Sequence, residues 1–482
     1  MKTKLISIIA VALGLSMGGC QSQSLGGFVK VSEKNPNYTE LSDGTPFVAM
    51  GYNVCFPRWW DKMSEDECFN MIEDHMRNIH ENGGNYVRVW ISHPFYEIED
   101  EKAGVYNPKK IARVKRFMDL AQKYNIRVKI CLEHFRNIKK YVPNENERGL
   151  PRGLFERKAY DGEFKSMAEY FQSEKGKRYF FNRFKVLADM FRDNPNVYAW
   201  ELWNEFNCTV AKNELCVGWQ EEMFERIRKE CPNHLVVNSY GSFDGDPSAN
   251  AYKLYMKDTT NDISPIHRYL DEGANYAICQ APVDVFAGDA IDTIKIIYPN
   301  KPAYLAETGG CQPRHSGPIR FYESDKDGII FHDAFYTPFF RGAAGTGQMW
   351  HWDLYIHKNQ LWKQIKPFAQ LIKNVNPIEE NFMPTRLDTK KARVWVLNGK
   401  KTILAFVRDN SNDWKSEFID GKKPVEIVGE KLDFSALVGD RAISKVQVYD
   451  LWNGACPTEF EKSAKLTLPI FKRSTAVRID LK

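Results

Sequence analysis

Apolar and polar positions change period along this chain, and the changes mark its elements. From about residue 44, short β-branched runs alternate with stretches whose apolar residues recur every three or four positions. Phe47-Val48-Ala49-Met50-Gly51-Tyr52 predicts a first strand. Over 65–82, Phe69, Ile72, Met76 and Ile79 share one helical face, and Gly83-Gly84 stops the helix. Further strands are predicted at 85–91, 127–132, 197–202, 234–240, 263–267, 302–306 and 347–352. Helices are predicted between them at 108–124, 176–192, 217–229, 282–297 and 327–340, and after them at 361–375. Eight strands alternating with helices predict an α/β fold, a (β/α)8 TIM barrel, over 44–378. Beyond about residue 380 the helical period disappears. Short strands at 392–396, 402–408, 425–428, 445–449, 465–468 and 476–479 predict a small all-β, sandwich-like domain over 379–482. The stretches 104–106 and 136–170 predict long loops on the active face.

The first residues follow another pattern. Lys2 and Lys4 precede an apolar run from Leu5 to Leu15, followed by Ser16-Met17-Gly18-Gly19-Cys20. This predicts a secretory signal over 1–19, too short to span a bilayer. A cysteine after two glycines resembles a bacterial lipobox. Cys20 is then expected as the lipidated first residue of a cell-envelope lipoprotein, with 20–43 as tether and lead-in and a lipid membrane as partner.

Composition changes this picture little. With 43% hydrophobic and 27% charged residues, the chain can bury a core and is not disordered. A net charge of +5 over 482 residues gives no reason to invoke nucleic acid. Aromatic content of 13%, with twelve Trp, supplies flat faces that fill cores and also stack on sugar rings. Apart from Cys20, the cysteines are scattered and odd in number, and no Cys-x-x-Cys or Cys/His cluster suggests zinc, so no metal and no cofactor is predicted. Cys208 and Cys216 are close enough in sequence to bridge a loop. Oligomeric state has no signature.

Barrel enzymes carry their chemistry at the C-terminal ends of strands. The fourth predicted strand ends Trp200-Glu201-Leu202-Trp203-Asn204-Glu205-Phe206, and the seventh ends Ala306-Glu307-Thr308-Gly309-Gly310. Each places a glutamate where strand gives way to loop. Two carboxyls about 5–5.5 Å apart, one protonated and one charged, carry out retaining glycoside hydrolysis. Glu201 shares strand parity with Glu205, and an inward Arg88 offers it an ion pair, so Glu201 is expected to give structural support.

In their order, these motifs resemble the retaining (β/α)8 glycoside hydrolases, and among them family 5 cellulases and mannanases most, over roughly residues 44–376. The Trp200–Glu205 run is similar to that family's strand-four signature, whose Asn-Glu ends in the acid/base. Ala306-Glu307-Thr308-Gly309 resembles its nucleophile motif. The resemblance implies Glu205 as acid/base and Glu307 as nucleophile. It also implies Arg88 as the arginine that holds the nucleophile, His134 as the strand-three histidine, and His267 and Tyr269 as the pair beyond strand six. Asn204 is expected to bind the sugar 2-hydroxyl, and Trp350 or Trp352 to floor the cleavage point. In a regular strand those two tryptophans share one face. A guanidinium is expected to keep the nucleophile ionised, and Trp203 and Phe206 to desolvate the acid. The implied substrate is a β-linked glycan, β-mannan before β-glucan. Two other readings stand beside this one. One is an exo-β-glycosidase or transglycosylase with the same glutamates. The other is a non-catalytic glycan-binding lipoprotein, which is expected to have lost one of the pair.

Overall fold

The computed structural model describes residues 27–134, 158–160, 162–209, 211–241, 243, 247–257, 261–454 and 456–482. The expected signal, Cys20 and most of the stretch 136–170 lie outside the described residues.

Three short antiparallel strands, β1 (Val29–Val31), β2 (Thr39–Leu41) and β3 (Pro46–Phe47), come first. They close the N-terminal end of the barrel. Val29, Tyr38 and Phe47 share an apolar cluster with Tyr86, Tyr198 and Tyr304, and Thr39 Oγ1 lies 3.2 Å from Tyr304 Oη.

Strands β4 (Gly51–Asn53), β5 (Tyr86–Trp90), β6 (Arg127–His134), β7 (Val197–Asn204) and β8 (Leu235–Val237) form one parallel sheet in that order. Strand β9 (Ser264–His267) pairs in parallel with β11 (Ala303–Glu307). Beyond the barrel mouth, β10 (Leu270–Asp271) and β12 (Gly310–Cys311) extend that pairing. Every residue of β5 to β8 is buried, because helices cover the outer face and side chains fill the interior. The helices are α1 (Glu65–Glu81), α2 (Pro108–Lys123), α3 (Met167–Gln172), α4 (Glu174–Phe191), α5 (Asn213–Glu230), α6 (Pro247–Tyr255), α7 (Val283–Ile297) and α8 (Ile329–Phe340). A Ser64–Glu67 capping box starts α1, and Phe69, Ile72, Met76 and Ile79 form its buried face. Among the described residues no helix is long and apolar enough to cross a membrane.

The last barrel strand departs from expectation. No ladder forms at 347–352; the chain there closes the barrel through single hydrogen bonds. Gln348 N donates to Leu305 O at 2.9 Å on one side, and Asn53 N to Met349 O at 3.0 Å on the other. Asn53 Nδ2 reinforces the seam, donating to Gln348 O at 3.0 Å and Met349 O at 3.1 Å. At Trp352 the chain enters a wide helical turn, Trp352–His357, so strand alternation does not reach that residue.

C-terminal strands β13 (Met383–Arg386), β14 (Ala392–Asn398), β15 (Thr402–Asp409), β16 (Lys431–Asp433), β17 (Ile443–Tyr449), β18 (Thr458–Phe460), β19 (Lys465–Thr467) and β20 (Ser474–Leu481) are antiparallel. Six form one sheet in the order β13-β14-β15-β20-β17-β18, and β16 pairs with β19. The run 425–428 is not a strand; only Ile427 bridges, to Phe471. Along β15, Leu404 and Phe406 join the barrel's cluster, while Ile403, Ala405 and Val407 pack under the outer strands. The sheet is thus buried on both faces.

Candidate active site

At the barrel mouth the centre is Arg88, fully buried on β5. Its Nε and Nη2 donate to Glu201 Oε2 and Oε1, each at 2.7 Å, a bidentate fit. Nη2 also donates to Asn204 Oδ1 at 2.7 Å, and Nη1 donates to Glu307 Oε1. Lys129, buried on β6, lies 3.6 Å from Glu201. Burial alone would raise the Glu201 carboxyl, but the Arg88 and Lys129 charges outweigh it and hold it at about 2. Two cations therefore face two buried carboxylates, Glu201 and Glu307. Burial lowers Lys129, with Glu201 opposing.

Glu307 ends β11 with its side chain 4% exposed. Tyr269 Oη donates to Glu307 Oε2 at 2.7 Å. Burial, then the Glu307 charge, pushes the Tyr269 phenol far up, so it stays a donor. Glu205 follows β7 in the left-handed region at φ 49° and is 14% exposed. Its N–H donates to Ser239 Oγ at 3.0 Å. His267 Nδ1 lies between the acids, 3.1 Å from Glu205 Oε1 and 3.5 Å from Glu307 Oε2. Burial lowers His267 to about 4, so the ring is neutral near pH 7. One oxygen of each glutamate and a His267 nitrogen all lie within 4.8 Å of one another.

Asn204 Oδ1 is taken by Arg88, while its buried Nδ2 has no partner among the described residues. His134 Nδ1 lies 2.6 Å from Ser92 Oγ, and its ring stacks on Trp90 at 5.0 Å. Trp350 is half-buried beside Trp90, ring centroids 4.8 Å apart. Trp352 is wholly buried, edge-on to Phe56 at 5.1 Å.

Strand parity fails at the end of β7. Glu201 points into the barrel toward Arg88, whereas Trp203, two residues on, packs with Phe171, Phe206 and Trp219 in the helix layer. The cause is local: Trp203 N donates to Asn238 Oδ1 at 2.8 Å rather than to a strand carbonyl. Sequence reading missed Asn53, Ser92, Ser239 and Lys129. Only Lys129 left a signal, a lone charge within the apolar run Val128-Lys129-Ile130.

A (β/α)8 barrel with two glutamates facing each other at its mouth has the architecture of a glycoside hydrolase. The chain belongs to glycosyl hydrolase family 5: the family model described as Cellulase (glycosyl hydrolase family 5) matches residues 41–328. It is 34% identical over 80 residues to the probable mannan endo-1,4-β-mannosidase F of Aspergillus flavus, covering 17% of each chain. Thus the chain spans under a fifth of that relative's length in the match. The putative mannan endo-1,4-β-mannosidase 4 of Arabidopsis thaliana is 22% identical over 386 residues, 72% of this chain and 88% of that one. A family 5 glycoside hydrolase structure from Bacteroides vulgatus superposes with a TM-score of 0.58 at 14% identity, covering 94% of each chain. That likeness concerns the fold.

Proposed function

We propose that the chain is a retaining hydrolase of β-1,4-linked mannan, with Glu307 as nucleophile and Glu205 as acid/base. The carrying observation is the pair itself: carboxylate oxygens within 4.8 Å, with different hydrogen-bond partners. A guanidinium and a phenol both donate to Glu307 and hold its carboxylate in place. Glu205 meets a neutral imidazole. In the first step Glu307 bonds to the anomeric carbon while Glu205 gives its proton to the departing glycosidic oxygen. In the second, Glu205 takes a proton from water, whose oxygen displaces Glu307 and restores the original configuration. Asn204 Nδ2 donates to the sugar 2-hydroxyl, and Arg88 fixes Asn204 and Glu307 on one guanidinium. Glu201, neutralised by Lys129, supports that arginine. Mannan is supported by the names of the relatives and by the Trp-Glu-Leu-x-Asn-Glu run.

The test is kinetic. Glu307→Gln should abolish turnover with the fold intact. Glu205→Ala should still be glycosylated by activated aryl glycosides and be rescued by azide. An inverted first product by NMR, or wild-type rates in both variants, rejects the assignment. Rates on mannan, glucomannan and β-glucan decide the substrate, and product lengths separate endo from exo action. The same proposal places the enzyme in a bacterial cell envelope, acylated at Cys20; two acyl chains suffice for stable anchoring. Cys20→Ala should partition to the aqueous phase on detergent extraction, and retention in the membrane fraction rejects the anchor.

A further inference from the structure

Beyond the barrel mouth, the extensions of β9 and β11 bring Asp271 beside Cys311 and His315, which lie far from it in sequence. Strands β10 and β12 pair in parallel with Asp271 opposite Cys311, so both side chains leave the same face. After Cys311 the chain doubles back in a tight loop, closed by Gln312 N donating to Gly317 O at 2.8 Å. That loop carries His315, a non-glycine residue in the left-handed region at φ 53°. Its Nε2 lies 3.7 Å from Asp271 Oδ2. One carboxylate oxygen, the Cys311 sulfur and one imidazole nitrogen are all within 4.8 Å of one another. Asp271 and Cys311 are buried, and the His315 side chain is 33% exposed.

We propose that Asp271, Cys311 and His315 bind a zinc ion that clips the two strand extensions together. The donor set is one oxygen, one sulfur and one nitrogen, which suits a borderline-soft, tetrahedral Zn²⁺ with bonds of about 2.0–2.3 Å. Tetrahedral ligands at such bonds stand roughly 3.3–3.7 Å from one another, and the three atoms here lie within 4.8 Å, with His315 Nε2 and Asp271 Oδ2 already 3.7 Å apart. The thiolate disfavours calcium and magnesium, which take oxygen ligands. Aspartate and thiolate together balance the ion's two charges. Asp271 Oδ1 already accepts from Gly273 N at 2.7 Å, which orients the carboxylate for its other oxygen to ligate. His315 provides the exposed edge through which the ion enters, with water as fourth ligand. Binding converts the Cys311 thiol to thiolate and releases one proton to solvent. The His315 ring stands edge-on to Tyr269 at 5.4 Å, so the ion also steadies the loop behind the phenol that donates to Glu307. Glu205, His267 and Glu307 form a second three-ligand cluster, but the Arg88 guanidinium on Glu307 opposes a cation there.

The claim stands apart from the hydrolase reading and is tested by binding. The full chain, reduced and stripped of metal, should take up one zinc per chain, release one proton and melt at higher temperature. Cobalt in its place should give a thiolate-to-metal charge-transfer band in the near ultraviolet. Cys311→Ser should abolish that band. His315→Ala, on the exposed loop and least damaging to the fold, should weaken zinc binding by more than about 100-fold. Glu307→Gln should leave binding unchanged. Zinc uptake that survives His315→Ala, a band that survives Cys311→Ser, or uptake lost only in Glu307→Gln overturns the site.

Discussion

At the scale of single residues, His267 shows how burial sets chemistry. Its folded value of about 4 lies below the ordinary 6.5, so between those values the unfolded chain binds a proton that the folded chain refuses. The stabilisation is complete above pH 6.5 and lost as pH falls toward 4, about 3 kcal/mol in all. His351, lowered by burial to about 3, acts in the same direction. Urea midpoints should therefore fall as pH is lowered from 7 to 4.5, and His267→Gln should reduce that slope. The two mouth tryptophans divide by burial. Trp350, half-buried, is the one of the two we propose as the sugar's floor, whereas Trp352 is buried in the core. Trp350→Ala should lower kcat and kcat/KM with near-native melting. Trp352→Ala should cost about 3–5 kcal/mol of stability, with little change in activity per folded molecule. The reverse pattern in melting and kinetics would exchange their roles.

At the scale of elements, the segment after β8 confines Glu205, the proposed acid/base. A Cβ built on Gly241 would stand 2.6 Å from Glu205 Cδ and 2.7 Å from its Cβ and Cγ. The carboxyl end of that side chain can swing away, but Glu205 Cβ is fixed by the backbone, so the end of β7 and the segment after β8 also have to part, and the carboxyl leaves its place. Gly241→Ala should melt somewhat below wild type and lose on the order of 100-fold in kcat. Gly51 on β4 is the opposite case. There a Cβ would sit 1.9 Å from Tyr86 O, in the backbone of the adjacent strand, so the barrel itself has to move. Comparing kcat with melting temperature for Gly241→Ala separates the two kinds of damage. An early melt with normal turnover would place Gly241 with Gly51.

At the scale of the whole molecule, the barrel and the C-terminal sheet share buried charges. Arg408 on β15 donates to both oxygens of Asp333 on α8, at 2.9 and 3.0 Å. Arg393 on β14 grips Asp284 on α7, which also accepts from Trp395 Nε1 at 3.0 Å. Helix α8 is buried along its whole length because the sheet covers what would be its solvent face. Arg408→Leu leaves Asp333 buried without its partner and should cost about 3–5 kcal/mol. The loss should appear in one calorimetric transition rather than two, since the interface is shared. Two separate transitions would mean that barrel and sheet unfold independently.

Much of the architecture was legible because it is encoded locally. Periodicity and caps placed α1, α2 and α7 to within a residue or two, as well as β5 and β9. The glutamates stood out because each ends an apolar run. Other features depend on which distant segments meet, and period is a property of neighbours alone. Arg88 reaches Glu201 and Glu307 across 113 and 219 residues, distances that barrel closure sets. The parity break at Trp203 needs Asn238 from the segment after β8, and the end of extended structure before Trp352 follows from the hydrogen-bonded seam. Asp271 meets Cys311 and His315 only because β10 and β12 pair. The sequence by itself determined the order of elements and the residues that can hold or move a proton. The tertiary structure decided which of them face one another, because side-chain direction at a strand end depends on partners from elsewhere in the chain.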